Sequence, residues 1–207
     1  MAKLVAGFGT SHSPMLATDI GRWREAFEPR DKARLHVDFD GNPARYDEIL
    51  ALAPADAMDR IAPAAMDARH NAMTAAQARL RQEIAAAELD ALIVVGDDQE
   101  ELFDAANTPA IGIYFGDTLR NAAGKPADDP MGRARARFLE NAAPVEYPCD
   151  PALARHTIAF LQESDFDISV SSKVPADRFE GHAYSYVHKF CFGTRTIPIV
   201  PTPAPAR

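Results

Sequence analysis

A chain of 207 residues with 47% hydrophobic and 25% charged side chains is long enough to bury a real core, as one domain of ordinary globular composition. Its 22 basic and 30 acidic residues leave a formal net charge of −8, which disfavours nucleic acid and anionic membrane as partners. Neither a secretory leader, with its roughly 7–15 apolar residues, nor a span of roughly 18 is expected anywhere. The composition therefore points to a soluble, cytoplasmic protein. Two cysteines, Cys149 and Cys191, are too few for a disulfide framework and read as buried thiols.

The first apolar run, Leu4-Val5-Ala6-Gly7-Phe8-Gly9, predicts a buried strand leading into Thr10-Ser11-His12-Ser13-Pro14. Trp23 and Phe27, four apart, predict a short helix, and Asp40-Gly41-Asn42-Pro43 is turn chemistry. From residue 66 to 88 the apolar positions Met73, Leu80, Ile84 and Ala87 fall at helical spacing. Ala91-Leu92-Ile93-Val94-Val95 is the strongest strand, and its continuous apolar character predicts burial on both faces. Ala110-Ile111-Gly112-Ile113-Tyr114-Phe115 is a second strand. Residues 117–148 read as an irregular excursion around a short helix. Asp150-Pro151 is a helix start, an N-cap acceptor followed by proline, and that helix should turn Leu153, Thr157, Phe160 and Leu161 inward.

Asp167-Ile168-Ser169-Val170-Ser171 alternates like a strand, residues 184–192 suit helix or strand, and Thr196-Ile197-Pro198-Ile199-Val200 is a last strand before Pro201, Pro203 and Pro205. Strands alternating with helices predict an α/β fold. The expected form is a mostly parallel or mixed central sheet flanked by helices, in a single domain over residues 1–207.

Ligands in such folds gather beyond the carboxyl ends of strands, so His12 and Asp97-Asp98-Gln99 should share one crevice. His12 reads either as a metal ligand or general base, or as a strand-end cap. Asp97 and Asp98 either bind metal or orient a histidine, or Asp98 caps a helix that follows it. His182 follows Gly181 beside Tyr184 and Tyr186, rings that could stack on a flat substrate; the plainer reading is a half-buried histidine. His70 and His156 read as helix-surface residues. A Gly-rich phosphate loop, a Gly-x-Ser-x-Gly elbow and a His-Glu-x-x-His pair are all missing, which removes most of the weight from ATP, NAD and zinc-peptidase chemistry.

Five segments in order carry a resemblance: Gly9-Thr10-Ser11-His12-Ser13-Pro14, Val94-Val95-Gly96-Asp97-Asp98-Gln99 with Glu101-Leu102-Phe103, Tyr147-Pro148-Cys149-Asp150, Gly181-His182-Ala183-Tyr184, and Ile197-Pro198-Ile199-Val200-Pro201. Together they resemble the class III extradiol ring-cleavage dioxygenases, the family of the catalytic subunit of protocatechuate 4,5-dioxygenase, and within it the 3-O-methylgallate dioxygenase type. The resemblance implies a ferrous ion held by two histidines and a glutamate, which leaves positions open for an aromatic diol and molecular oxygen. It gives His12 and Gln99 the metal positions, His182 the acid/base role in ring opening, and Ser11, Ser13, Asp98 and Tyr184 places around the substrate.

Gln99 stands where the protocatechuate branch has its second histidine, and a neutral amide binds ferrous iron weakly; the adjacent Glu100 is a possible substitute. The family's glutamate ligand has no counterpart before Arg207, so the chain reads as lacking a C-terminal portion. That reading predicts exposed apolar surface at the last strand and a homo-oligomer. The competing readings are a metal-free relative that binds an aromatic ligand or a partner chain, and a metal-assisted hydrolase using His12 and Asp98.

Overall fold

The computed structural model describes residues 3–17, 20–104, 106–123, 128, 130–140 and 143–205. The fold class is α/β, with helices and several small parallel and antiparallel sheets. The chain divides into two compact units, one of Met1–His12, Gln77–Lys125 and Arg137–Arg207, the other of Ser13–Ala76 and Pro126–Ala136.

The smaller unit opens with a 3₁₀ turn at Pro14–Ala17 and helix α1 (Ile20–Ala33), which carries Trp23 and Phe27 on one side as their spacing predicts. A short hairpin follows, β1 (His36–Val37) against β2 (Pro43–Ala44). Its turn forms because the Asp38 carboxylate accepts the N–H groups of Asp40 and Asn42, at 2.9 and 2.8 Å, while Gly41 takes a φ of 87° that suits glycine. Helices α2 (Tyr46–Ala51), α3 (Ala57–Arg60), α4 (Pro63–Ala86) and α5 (Pro130–Ala136) complete the element list here; the unit boundary falls within α4, after Ala76. His70, expected on a helix surface, is half-buried and meets Trp23 edge-on at 5.7 Å, whereas His156 is exposed as expected.

In the larger unit, β3 (Leu92–Asp98) pairs in parallel with the C-terminal strand. Next come β4 (Gly112–Tyr114), β5 (Thr118–Asn121), β6 (Val145–Pro148), α6 (Pro151–Glu163), β7 (Ser169–Ser171), α7 (His182–Tyr186) with a π-helical turn at Val187–Cys191, and β8 (Ile199–Pro205). β4 pairs in parallel with β7, and β5 pairs antiparallel with β6 inside the stretch expected to be irregular. The core forms where α6 covers β4 and β8, with Ile113, Ala154 and Val200 buried and Leu153, Ile158 and Leu161 packed against them. Asp150 starts α6 as expected, accepting the Leu153 N–H at 2.9 Å with Pro151 in the first turn.

Several expectations are corrected. Residues 4–9 form no strand: Leu4 is 91% exposed, and Gly7 and Gly9 sit in open space, so the entropy of ordering them goes uncompensated. β3 is buried on one face only, with Val94 inside and Ile93 and Val95 exposed. Phe160 is exposed because the buried stripe of α6 centres on Ala154 and Leu161, roughly 100° or more away around the helix.

The last strand begins later than expected and runs through the prolines, in register Leu92↔Ile199 to Asp98↔Pro205. Pro201, Pro203 and Pro205 all share the parity of Ile199, whose carbonyl faces away from β3 toward the Asp150 N–H; the Pro198 carbonyl, of the opposite parity, accepts from Leu92. The missing N–H groups therefore fall on the edge turned away from β3. The ladder with β3 survives, and the neighbouring β4 packs against β8 without a ladder of its own. Nor is this strand exposed, since Ile197, Ile199 and Val200 are at most 4% accessible. Among the described residues no helix is long and apolar enough to cross a membrane.

Candidate metal centre

Three segments meet at the carboxyl end of β3. The first is the N-terminal stretch ending at His12, the second the strand end and turn carrying Asp97 to Glu101, and the third the start of α7 carrying His182. α7 lies close over β3 because position 96 is glycine: a Cβ there would sit 2.7 Å from the Ala183 Cβ. Gly181 serves the same end, for its Cβ would meet a Glu101 carboxylate oxygen at 2.8 Å. The close approach that glycine before His182 implies is therefore an approach to Glu101.

The His12 Nε2 lies 2.6 Å from the Asp97 Oδ1, and the His12 and His182 rings meet edge to face with centroids 4.5 Å apart. One donor atom from each of His12, Asp97 and His182 falls within 4.8 Å of the other two. The three side chains are 26, 29 and 18% exposed, open enough for an ion and a small ligand to reach them.

Neighbouring groups orient two of these donors. Glu101 accepts from His182 Nδ1 at 2.8 and 2.9 Å and from the His182 backbone N–H at 3.1 Å. With its proton held at Nδ1, the His182 ring presents a lone pair at Nε2, the arrangement common behind metal-bound imidazoles. The Gln99 amide donates to Asp97 Oδ2 at 3.0 Å, leaving Oδ1 toward His12.

Burial pushes the Asp97 carboxyl up, but the Gln99 hydrogen bond and the nearby His12 and His182 outweigh it and hold the group below the usual carboxylate range. Burial pushes His182 down, yet the Glu101 hydrogen bond and charge, with Asp97 and Asp98, leave it above the ordinary imidazole value.

Two imidazoles and a carboxylate suit a borderline divalent ion such as iron(II). His12 Nδ1 is buried with no hydrogen-bond partner, and the carboxylates of Asp97, Asp98 and Glu101 make the crevice favourable to a cation. The residues present fit the group.

The sequence-predicted residues fall unequally. His12 and His182 belong to the cluster, and His12 shares its crevice with the Asp97–Gln99 segment as expected. Gln99 is exposed and touches the cluster through its hydrogen bond to Asp97. Asp98 is buried and accepts the N–H groups of Leu102 and Phe103 at 2.9 and 3.1 Å; among the described residues no helix directly follows it to be capped, and the carboxylate holds an irregular bend instead. Glu100 is exposed at a φ of 65°, and its carbonyl accepts from Arg178.

Tyr184 is fully buried against the Gly96 position with its hydroxyl unpartnered, and burial raises its pKa well above the ordinary phenol value. Ser11 is exposed, while Ser13 belongs to the smaller unit, where its hydroxyl accepts the Met15 N–H.

The sequence leaves open which of Asp97 and Asp98 would bind, and although Glu101 stands in one of the ordered motifs, nothing there gives it a role beside His182. It also gives no sign of a buried pair one turn beyond the site, where His188 Nδ1 bonds Glu180 Oε2 at 2.9 Å with both side chains fully inaccessible. Asn121 donates to the same carboxylate at 2.7 Å, and the Tyr147 ring stacks on His188. Glu180, two residues before His182, is thereby anchored to β5. No protein-family profile matches the chain, and no curated protein matches it.

Proposed function

We propose that the chain is an iron(II)-dependent oxygenase of the extradiol type, opening the ring of a catechol- or gallate-like diol with molecular oxygen. The observation that carries this reading is the convergence of His12, Asp97 and His182, two imidazoles and one carboxylate, at the open end of β3. The ordered motifs from residue 9 to residue 201 support the same reading. In it Asp97 supplies the carboxylate, and Gln99 keeps to the role of orienting it.

His12, Asp97 and His182 would hold the ion. Ferrous iron supplies open coordination positions at which a diol and oxygen can be brought together. Glu101 fixes the His182 ring by holding the proton at Nδ1, and Gln99 fixes the rotation of Asp97. Phe138, 3% exposed and edge-on to His182 at 6.3 Å, lends the crevice an apolar wall against an aromatic ring. His182 is thus assigned to metal binding, where the family resemblance alone gives it proton transfer.

The test is anaerobic loading with ferrous ion, followed by oxygen uptake on gallate and on 3-O-methylgallate. One iron per chain with ring-opened product supports the proposal. A well-folded protein that takes up no iron sinks it, and stoichiometric iron without oxygen uptake on any diol removes the oxygenase while leaving a metal site. His182→Ala separates the two assignments of that residue: loss of iron supports the donor role, whereas retained iron with lost turnover returns His182 to proton transfer.

A further inference from the structure

The smaller unit holds a cavity of about 610 Å³, within the range of small-molecule sites. Its wall includes Trp23, Phe27 and Tyr46 together with Met15, Met58 and Met66, half of the methionines in the chain. Met15, Leu50, Met58 and Ile61 are 36–60% exposed, yet they are not scattered over the surface: all four line this one chamber. Methionine and aromatic side chains make an adaptable, polarizable wall.

Charge in the lining is one-sided. Two cations, Arg24 and Lys32, stand against four carboxylates, Glu28, Asp31, Asp47 and Asp67, an excess of two negative charges. Both cations are engaged by the same carboxylate, with Arg24 Nε 3.3 Å and Lys32 Nζ 2.8 Å from Glu28. Asp31, Asp47 and Asp67 have no lysine or arginine nitrogen within ion-pairing distance among the described residues. A lining that mixes aromatic rings and thioethers with carboxylates attracts a positive charge carried on an apolar body, and the Tyr46 ring already receives the Lys32 ammonium at 5.9 Å.

We infer that this cavity binds a small organic ammonium ion with an aromatic or branched apolar body. The site lies wholly within the smaller unit and is independent of the metal reading.

Trp23 is the only tryptophan in the chain and lines the cavity, so its fluorescence reports on the site directly. The probe is benzyltrimethylammonium, titrated beside neopentylbenzene, its neutral isostere, with calorimetry on the same samples. Saturable change of Trp23 emission is expected, with the cation bound about fivefold or more tightly than the isostere. Asp47→Asn combined with Asp67→Asn, both exposed positions, should erase most of that preference. Equal or tighter binding of the neutral isostere overturns the proposal, as does the absence of saturable binding by either method. Heat of binding without any Trp23 response assigns the ligand to another place and overturns it too.

Discussion

Replacing Glu101 with glutamine tests whether the site works as its geometry implies. Both Glu101 oxygens approach His182 Nδ1, at 2.8 and 2.9 Å, and one also accepts the His182 backbone N–H. Glutamine keeps the shape and one acceptor but removes the charge that polarises the imidazole. Loss of such a supporting carboxylate typically weakens metal binding by about 10–100-fold, or roughly 1.4–2.7 kcal/mol. Because the Glu101 side chain is one-third exposed, solvent screens part of its charge, and the expected loss lies near the lower figure, about tenfold. Competition for ferrous ion against a chromogenic chelator, without oxygen, measures it. Glu100→Gln serves as the control, since that side chain is exposed, and should leave affinity unchanged. An affinity for Glu101→Gln within twofold of the wild type, with thermal stability intact, would refute the claim that Glu101 tunes a metal-bearing His182.

Three other perturbations reach different parts of the larger unit. Gly96→Ala forces the Ala183 contact below 3 Å and should cost about 1–3 kcal/mol, lowering the melting temperature by roughly 2–4 °C per kcal/mol and weakening metal binding with it. Unchanged stability and affinity would mean that α7 does not need its close seat on β3. His188→Ala removes a hydrogen-bond partner of the fully inaccessible Glu180 side chain and should cost about 1–3 kcal/mol; adding Glu180→Gln should recover part of the loss, and a double variant no more stable than the single one counts against this account of the pair.

Burial pushes the thiols of Cys149 and Cys191 up to about 12 and about 11, so a thiol reagent near pH 8 should find neither in the native protein and both after unfolding. The same shift has a sign for stability. Above roughly pH 8.5 the unfolded chain alone releases these protons, so the contribution present at neutral pH is lost as pH rises toward the folded values. Native thiols that react as fast as a free cysteine contradict that burial.

Elements governed by near-neighbour chemistry were readable in the sequence. The Asp150-Pro151 start of α6 and the turn at residues 40–43 each need only a side chain and the backbone a few residues away. β3 and α4 are long enough for their apolar patterns to stand clear. Residues 4–9 have the composition of a strand, but a strand exists only with a partner, and composition does not say whether one is there.

The prolines of β8 misled in the opposite direction. Their cost depends on which edge each missing N–H falls on, and parity relative to β3 fixes that only once the register is known. In the site, His12 is legible because it follows an apolar run that ends in glycine, and His182 because glycine precedes it. Glu101 is not, because its partner lies at residue 182, and a carboxylate on a turn looks like any solvated one until the fold closes over it. His188 carries no signal in the sequence for the same reason, its partner Glu180 being hidden with it in the interior.

The pairing of residues 92–98 with 199–205 has a consequence for how the molecule comes into being. About a hundred residues separate the two strands, and at a synthesis rate of about 5–20 residues per second the first waits roughly 5–20 s for the second. During that wait residues 92–98 have no ladder, and the turn holding Asp97 and Glu101 has no β8 beside the strand that carries it. The crevice at the end of β3 therefore has all its residues, including His182, before it has the strand that holds β3 in place. A ribosome-stalled fragment ending before residue 199 should bind ferrous ion more weakly than the full chain.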